Sequence, residues 1–591
     1  MKKISIILFA SAALFASCSD FLATDNIYGK DLTDFYSTTD EITEALASIY
    51  TSMYAMSSGG DESFIGNILD DITLGGGAAG GLDDATSIDA FSNYGVDYFS
   101  EMWTDAYNGV YRCNALIESI EGEAHDFSEY FDTDAEEEAY KEGVLAESYF
   151  MRGYCMFRAA RFFGALPIIP ESDSDRSVAR SSYEETFHKL ISDFYISVNK
   201  FVATPIASVS TSEYGHANRW AAIGYLARAY MFYTGYMTNI EGIETTTITL
   251  NSDAGGVTLT KDMVVALLEE CRDDSGFYLV DKYANLWAYA YLNYAAVAYG
   301  DSNGDNLLPY AKNNDLTWTG QDGYYATLSG TSGNPETIFA IRYGVGEYNT
   351  PTEVGLSNTN RFCMMAGPRD NEMTPFYKGW GYATVNPNFY NDWDDADERK
   401  AATVYVMGDE DHRTESYTFP TSHQYTGYQQ KKYTGLVISG TAYGLHPLFS
   451  YVYGIQVDNI VQQAHAIDFN LLRFSDILLM HSELTETADG MNQVRVRAGL
   501  SETSYSLEAL KEERMYEFAY EAIRWFDLVR WGDIMTSNNS STYFDKDTDT
   551  YNNKVETVYN MSYPTVKKGL VPIPETEVSL SNGAYTQNPG W

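Results

Sequence analysis

At 591 residues the chain is long enough for one large domain or for two or three average ones, and its 45% hydrophobic content is that of an ordinary globular protein. Its 38 basic against 83 acidic residues leave a formal net charge of −45, a field that repels phosphate backbones and anionic membrane surfaces and argues against a nucleic-acid partner. The 49 tyrosines and 9 tryptophans supply flat apolar faces edged with hydrogen-bonding groups, suited to stacking on planar or sugar-ring CH faces as well as to filling a core.

The first residues, MKKISIILFASAALFASCSDFL, place two lysines before an apolar run and then small residues. This is the pattern of a removable secretory signal over residues 1–17, too short to be a dependable membrane span. Leu14-Phe15-Ala16-Ser17-Cys18 resembles a bacterial lipobox with Phe15 where Leu is commoner. Cys18 is therefore expected to carry lipid and to anchor the chain to a membrane. Cys113, Cys155, Cys271 and Cys363 are far apart and form no C-x-x-C pair, so they are expected to be buried thiols rather than metal ligands or a redox pair.

Helical periodicity predicts helices over 40–56, 96–120, 135–163, 183–201, 217–235 and 261–272, and again over 471–486 and 507–531. Helical hairpins such as NRWAAIGYLARAYMFYTG (218–235), with small residues where helices would touch, suggest degenerate tetratricopeptide-like packing. The expected architecture is mostly α. A helical scaffold runs over 18–275, a loop-rich lobe with short strands such as ETIFAIRY (336–343) is inserted over 276–465, and the scaffold returns over 466–591. A long irregular stretch is where a binding function is expected to reside.

Motifs for chemistry are weak. GGGAAG (75–80) matches a dinucleotide pattern, but no suitable helix start follows it and Asp70, Asp71, Asp83 and Asp84 would repel a pyrophosphate. DSNGDN (301–306) begins like a calcium loop, yet its sixth residue is Asn306 and its twelfth is Lys312, so it is no EF-hand. Zinc-protease and hydrolase-elbow signatures are absent, and neither a cofactor nor a resident metal is expected. A glycosidase needs only two carboxylates from anywhere in the chain, and 83 acids leave that alternative open.

The densest charge pattern is ERMYEFAYEAIRWFDLVRWGD (513–533). As one helix it would put Met515, Phe518, Ala519, Ala522, Trp525, Phe526 and Val529 on a core stripe, with Glu517, Glu521 and Arg524 spaced to pair with one another. The charges are therefore expected to hold structure rather than to act on a substrate.

That segment resembles a late helix of the SusD/RagB family, the cell-surface glycan-binding lipoproteins of Bacteroidetes, through Glu513, Arg514, Glu517, Ala519, Glu521, Arg524, Trp525, Phe526, Asp527, Leu528, Arg530 and Trp531. NLLRFSDILLMHSE (470–483), with Phe474, Ser475, His481 and Ser482 as departures, resembles a second family segment. Residues 103–120, 146–169, 494–500 and 571–591 match in order, so the resemblance spans nearly the whole chain. Between the second segment and VRVRAGL only Leu484 to Gln493 intervene, as though a helical hairpin were trimmed. The resemblance implies a non-catalytic lipoprotein of the outer-membrane surface that captures oligosaccharides or polysaccharides and passes them to a SusC-like TonB-dependent transporter. A surface glycoside hydrolase, or a binder of peptides or another nutrient, is the alternative.

Sugars ask for polar groups and aromatic faces on exposed loops. The ligand site is accordingly expected to combine Asn67, Asp70 and Asp71 of an early loop with Arg369, Trp380 and Tyr382 of GPRDNEMTPFYKGWGYATVNPNFY (367–390), where glycines favour an exposed turn. Trp287 and Tyr291 are further candidates, although rings at i and i+4 fit a buried helix face equally well.

Overall fold

The computed structural model describes residues 36–53, 62–77, 83–91, 97–123, 125–172, 178–210, 213–298, 308–320, 334–343, 360–368, 375–377, 379–407, 424–440, 444–449, 465–536, 538–545 and 555–591. Cys18 and Arg369, the calcium-like 301–306 stretch and Ala78 to Gly80 lie outside them.

Helices build the scaffold: α1 (Thr39–Tyr50), α2 (Ser100–Glu121), α3 (Asp134–Phe163), α4 (Tyr183–Lys200), α5 (Arg219–Asn239) and α6 (Lys261–Asp274). Their starts are written locally. Thr133 and Glu136 form a reciprocal capping box at α3, Ser182 and Glu185 repeat it at α4, and Asn218 accepts from the Ala221 amide at α5. Each of α2 to α6 packs on the next. On α5, close approach requires glycine: a Cβ at Gly224 would run into the Leu472 side chain, and one at Gly235 would lie 2.6 Å from the Arg530 carbonyl oxygen. The fold is mostly helical, as predicted, with short strands added.

In the middle of the chain, α7 (Leu292–Ala298) lies among short 3-10 and irregular segments. Strand β1 (Thr73–Gly76) pairs antiparallel with β3 (Tyr382–Val385), and β2 (Thr337–Ile341) pairs with β4 (Phe469–Arg473). The periodic segment expected to be helical from 471 therefore begins as a strand, and α8 covers Phe474–Thr485. A left-handed Glu486 (φ 56°) then turns the chain directly into α9 (Asp489–Arg497), the short connection noted in the sequence.

The expected helix over 507–531 is two helices, α10 (Leu507–Glu517) and α11 (Arg524–Arg530). Between them Tyr520 and Ala522 take left-handed conformations, φ 66° and 56°. Such values cost free energy in residues with a Cβ and persist only where surroundings impose them. Here the Ala522 amide donates to Asn67 Oδ1 (3.0 Å), and Asn67 Nδ2 donates to the carbonyls of Ser63 (2.5 Å) and Tyr520 (3.4 Å). Tertiary hydrogen bonding overrides helical periodicity.

One apolar core runs from Ile42 to Tyr585, and a smaller cluster joins Ile72, Val385, Phe389, Trp393, Val404, Tyr516, Ala519 and Tyr520. Cys113, Cys155, Cys271 and Cys363 are buried free thiols.

Candidate functional site

The charged segment is structural, but its partners are not those of an isolated helix. Five carboxylates (Glu336, Asp397, Glu513, Glu517 and Glu521) meet five cations (Arg399, Lys432, Arg473, Arg495 and Arg497) in one network. Arg473 Nη1 reaches Glu517 Oε1 at 2.8 Å and its Nε reaches Glu521 Oε2 at 2.8 Å, while Arg497 Nη2 lies 2.5 Å from Glu517 Oε1. Burial alone would raise the Glu517 carboxyl, but Arg497, Arg473 and Arg399 hold it well below the usual carboxylate range. Burial also pulls Lys432 down to about 8, against the pull of Glu521. Arg524 pairs with Asp71 through both guanidinium and carboxylate arms, at 2.8 Å each, rather than with Glu517 or Glu521.

The predicted early loop and the 367–390 segment do come together, through the β1–β3 pair. Gly76 faces Tyr382 in register, the Gly77 amide donates to the Gly381 carbonyl (2.8 Å), and the Phe64 and Tyr382 rings stand 5.6 Å apart, edge to face. Yet the individual side chains expected to touch ligand are mostly inside. Asn67 and Asp70 are each 1% exposed, and Asn67 is committed to the Tyr520–Ala522 turn. Asp70 Oδ1 accepts from the Ile72 amide (3.1 Å), and burial, with Asp71 next to it, pushes its carboxyl well above the usual range. Asp71 is occupied by Arg524. Tyr382 is buried and Trp380 half-buried. Asn67 thus clamps the α10–α11 break and Asp71 holds Arg524 beside it, because short polar side chains near a strained backbone turn are taken up by its polar groups.

Trp287 also faces inward, 2% exposed, with Lys432 Nζ 4.7 Å from its ring and Tyr433 edge-on at 5.7 Å. The buried-face alternative holds for it. Tyr291 is buried too, 9% exposed, and packs between buried Trp318 and an exposed ring. Its ring centroid is 5.1 Å from Tyr294 and 5.7 Å from Trp318, and Tyr294 is 63% exposed. Sequence reasoning missed Tyr294. The signal was available: Leu292, Ala295 and Ala296 face the core of α7, so positions 294 and 297 must point outward.

The neighbouring short helix Pro309–Asn313 is tied to α7 by Asn293, whose side chain donates to the Leu308 carbonyl (3.1 Å) and accepts from its amide (2.7 Å). Beyond it opens a cleft of about 370 Å³ lined by Tyr310, Asn314, Tyr390, Asp395, Lys282 and Lys400 among others. Tyr390 stacks on Tyr428 at 4.3 Å, Lys400 Nζ lies 4.5 Å from the Tyr390 ring, and Lys431 Nζ lies 4.1 Å from Tyr310. Aromatic walls held by cations, with amide, carboxylate and ammonium groups at the rim, can accept the CH faces and hydroxyls of a polyol together. Among the described residues no three His, Cys, Asp or Glu side chains gather into a metal set.

Comparison with known proteins agrees with this architecture. A family model described as "SusD family" matches residues 335–591, and another described as "Starch-binding associating with outer membrane" matches residues 28–231. The chain belongs to the SusD family. A SusD-like protein of Bacteroides ovatus is 24% identical over 557 residues, covering 90% of this chain and 83% of that protein. SusD-like protein P25 of Formosa agariphila is 21% identical over 456 residues, 74% and 71% of the two chains. Among solved SusD-like structures, a laminarin-binding protein superposes with a TM-score of 0.64 at 19% identity, covering 94% of this chain and 100% of that one. Surface glycan-binding protein A of Bacteroides thetaiotaomicron, in complex with laminarihexaose, does so at 0.64 and 17%, covering 93% and 99%.

Proposed function

We propose that this SusD-family chain is a non-catalytic glycan-binding lipoprotein of the outer-membrane surface, anchored through Cys18, that captures oligosaccharides and delivers them to a SusC-like TonB-dependent transporter. The observation that carries the reading is the aromatic cleft at Tyr310 and Tyr390, with Tyr294 exposed on the element tied beside it. All of these residues lie within 276–465, the segment expected to form the binding lobe. The names of similar proteins, which include laminarin-binding and surface glycan-binding proteins, support a glucan or related glycan as ligand. Trp380, beside the β1–β3 seam, and Arg369 remain proposed contacts.

Calorimetric titration of the mature protein with laminarihexaose and a panel of other oligosaccharides tests this. One glycan should bind, chromatography should find no shortened product, and Tyr294→Ala or Tyr390→Ala should weaken binding by about 1–3 kcal/mol, the range of a central aromatic anchor. Cleavage products would establish the hydrolase alternative instead. Binding unaltered in both variants would place the site elsewhere. Cys18→Ala should move the protein out of the membrane fraction, and copurification with a transporter should be lost with it; membrane retention of that variant would refute the anchor.

A further inference from the structure

A larger cavity, about 420 Å³, sits in the helical scaffold and shares no residue with the lobe cleft. One wall is apolar: Phe277, Ile338 and Phe339 are buried beneath it. The other carries a hydrogen-bond chain. Tyr50 Oη accepts from the Ala217 amide (2.6 Å) and donates to Glu147 Oε2 (2.6 Å), which also faces His216 Nδ1 (3.0 Å). The hydrogen bond and charge of this carboxylate raise the His216 ring above its ordinary value, and Nε2 is the ring nitrogen left to bond a ligand. Neither Glu147 Oε1 nor His216 Nε2 has a hydrogen-bond partner within the described chain.

Charged groups around the cavity are already paired: Lys200 holds both oxygens of Glu142 at 2.8 and 2.9 Å, Arg219 holds both oxygens of Glu270 at 2.7 and 2.9 Å, and Glu147 Oε2 lies 3.0 Å from His216 Nδ1. An ion would have to displace one of these pairs, whereas a neutral ligand would not. What is left for recognition is a carboxylate oxygen and an adjacent imidazole nitrogen opposite an apolar wall, which suits neighbouring hydroxyls on a ring with a CH face.

We propose that this cavity is a second binding site, for a neutral mono- or disaccharide, with Glu147 and His216 hydrogen-bonding its hydroxyls and Phe277, Ile338 and Phe339 facing its ring. The site is independent of the lobe cleft and stands or falls separately from it. Gly143 provides the test, because it lines the cavity from α3 and a Cβ there meets nothing within 4 Å. Gly143→Trp starts from that open Cβ position and is used to occupy the space. The full-length mature protein, labelled at His and Ile, is titrated with glucose, maltose, laminaribiose and lactose to about 20 mM, enough to detect a Kd of about 1 mM. At least one sugar should shift the His216 and Ile338 signals saturably. The shift should be lost in Gly143→Trp, weakened at least tenfold in Glu147→Gln and kept in Tyr294→Ala. Gly143→Leu replaces the Trp variant if the latter is less soluble. No saturable shift with any of the four sugars, or an equal shift in the filled variant, overturns the proposal, while laminarihexaose binding lost in Tyr294→Ala reports on the lobe alone.

Discussion

Glu517→Gln isolates what the buried network does. Glu517 is 0% exposed, with Oε1 accepting from Arg473 and Arg497 and Oε2 lying 3.2 Å from Arg399 Nη1. Glutamine has nearly the same shape but removes the negative charge and turns an NH₂ donor toward guanidinium donors. Three arginines would then be short of compensation in an interior that water does not reach. Removing one partner of a buried ion pair costs about 3–5 kcal/mol, whereas the exposed neighbour Glu512→Gln should stay within about 0.5 kcal/mol. Urea unfolding read by tryptophan fluorescence compares the two, with glycan titration of the folded protein alongside. The pH dependence follows from the sign of the shift. Since the folded carboxyl is held below its ordinary value, its contribution is present above about pH 4.3 and is lost as pH falls through the lowered pKa. Equal midpoints for the two variants would refute the reasoning, as would intact stability with lost glycan affinity, which would make Glu517 a binding residue.

Asp468 should act with the opposite sign. Burial, offset by Arg342 and the Tyr343 amide, lifts its carboxyl to about 7, so between about pH 4 and 7 the folded chain holds a proton that the unfolded chain has released, and stability declines as pH rises. Asp468→Asn should remove that decline, gaining up to about 4 kcal/mol at pH 8 and nothing at pH 4, and parallel stability profiles would refute it. Gly143→Ala, in a helix with open space at its Cβ, should stabilise by about 0.5–1 kcal/mol in thermal unfolding; destabilisation would mean that the helix there needs glycine.

Much of this architecture was legible because the deciding physics is local. The capping boxes at Thr133 and Ser182 and the apolar faces behind them mark α3 and α4 within a residue or two of their observed ends. The α10–α11 break was not legible, since nothing between Phe518 and Ile523 is a helix breaker and the left-handed turn is imposed by Asn67 from the other end of the chain. The same long-range bonding engages the residues of the early loop. Asn67, Asp70 and Asp71 have the composition of a ligand loop, and only the fold reveals that a backbone turn and Arg524 use them. For Trp287, ring spacing pointed both inward and outward, and the charge network on Lys432 and Arg473 decided it.

The clamp on that turn also sets an order of events. Asp71 meets Arg524 across 453 positions, and Asn67 meets Ala522 across 455. Closing so large a loop carries an entropic cost that local helices do not share, and topologies rich in such contacts fold slowly. The α2 to α6 hairpins can form as the chain is made, but β1 and the residues before it have no finished seat until α10 and α11 exist. A chain cut short of residue 518 should therefore keep its early helices while leaving Asn67 and Asp71 without Ala522 and Arg524, an unfinished edge that invites recognition by chaperones and proteases. Completion of the C-terminal segment is then the step that licenses the first ordered loop.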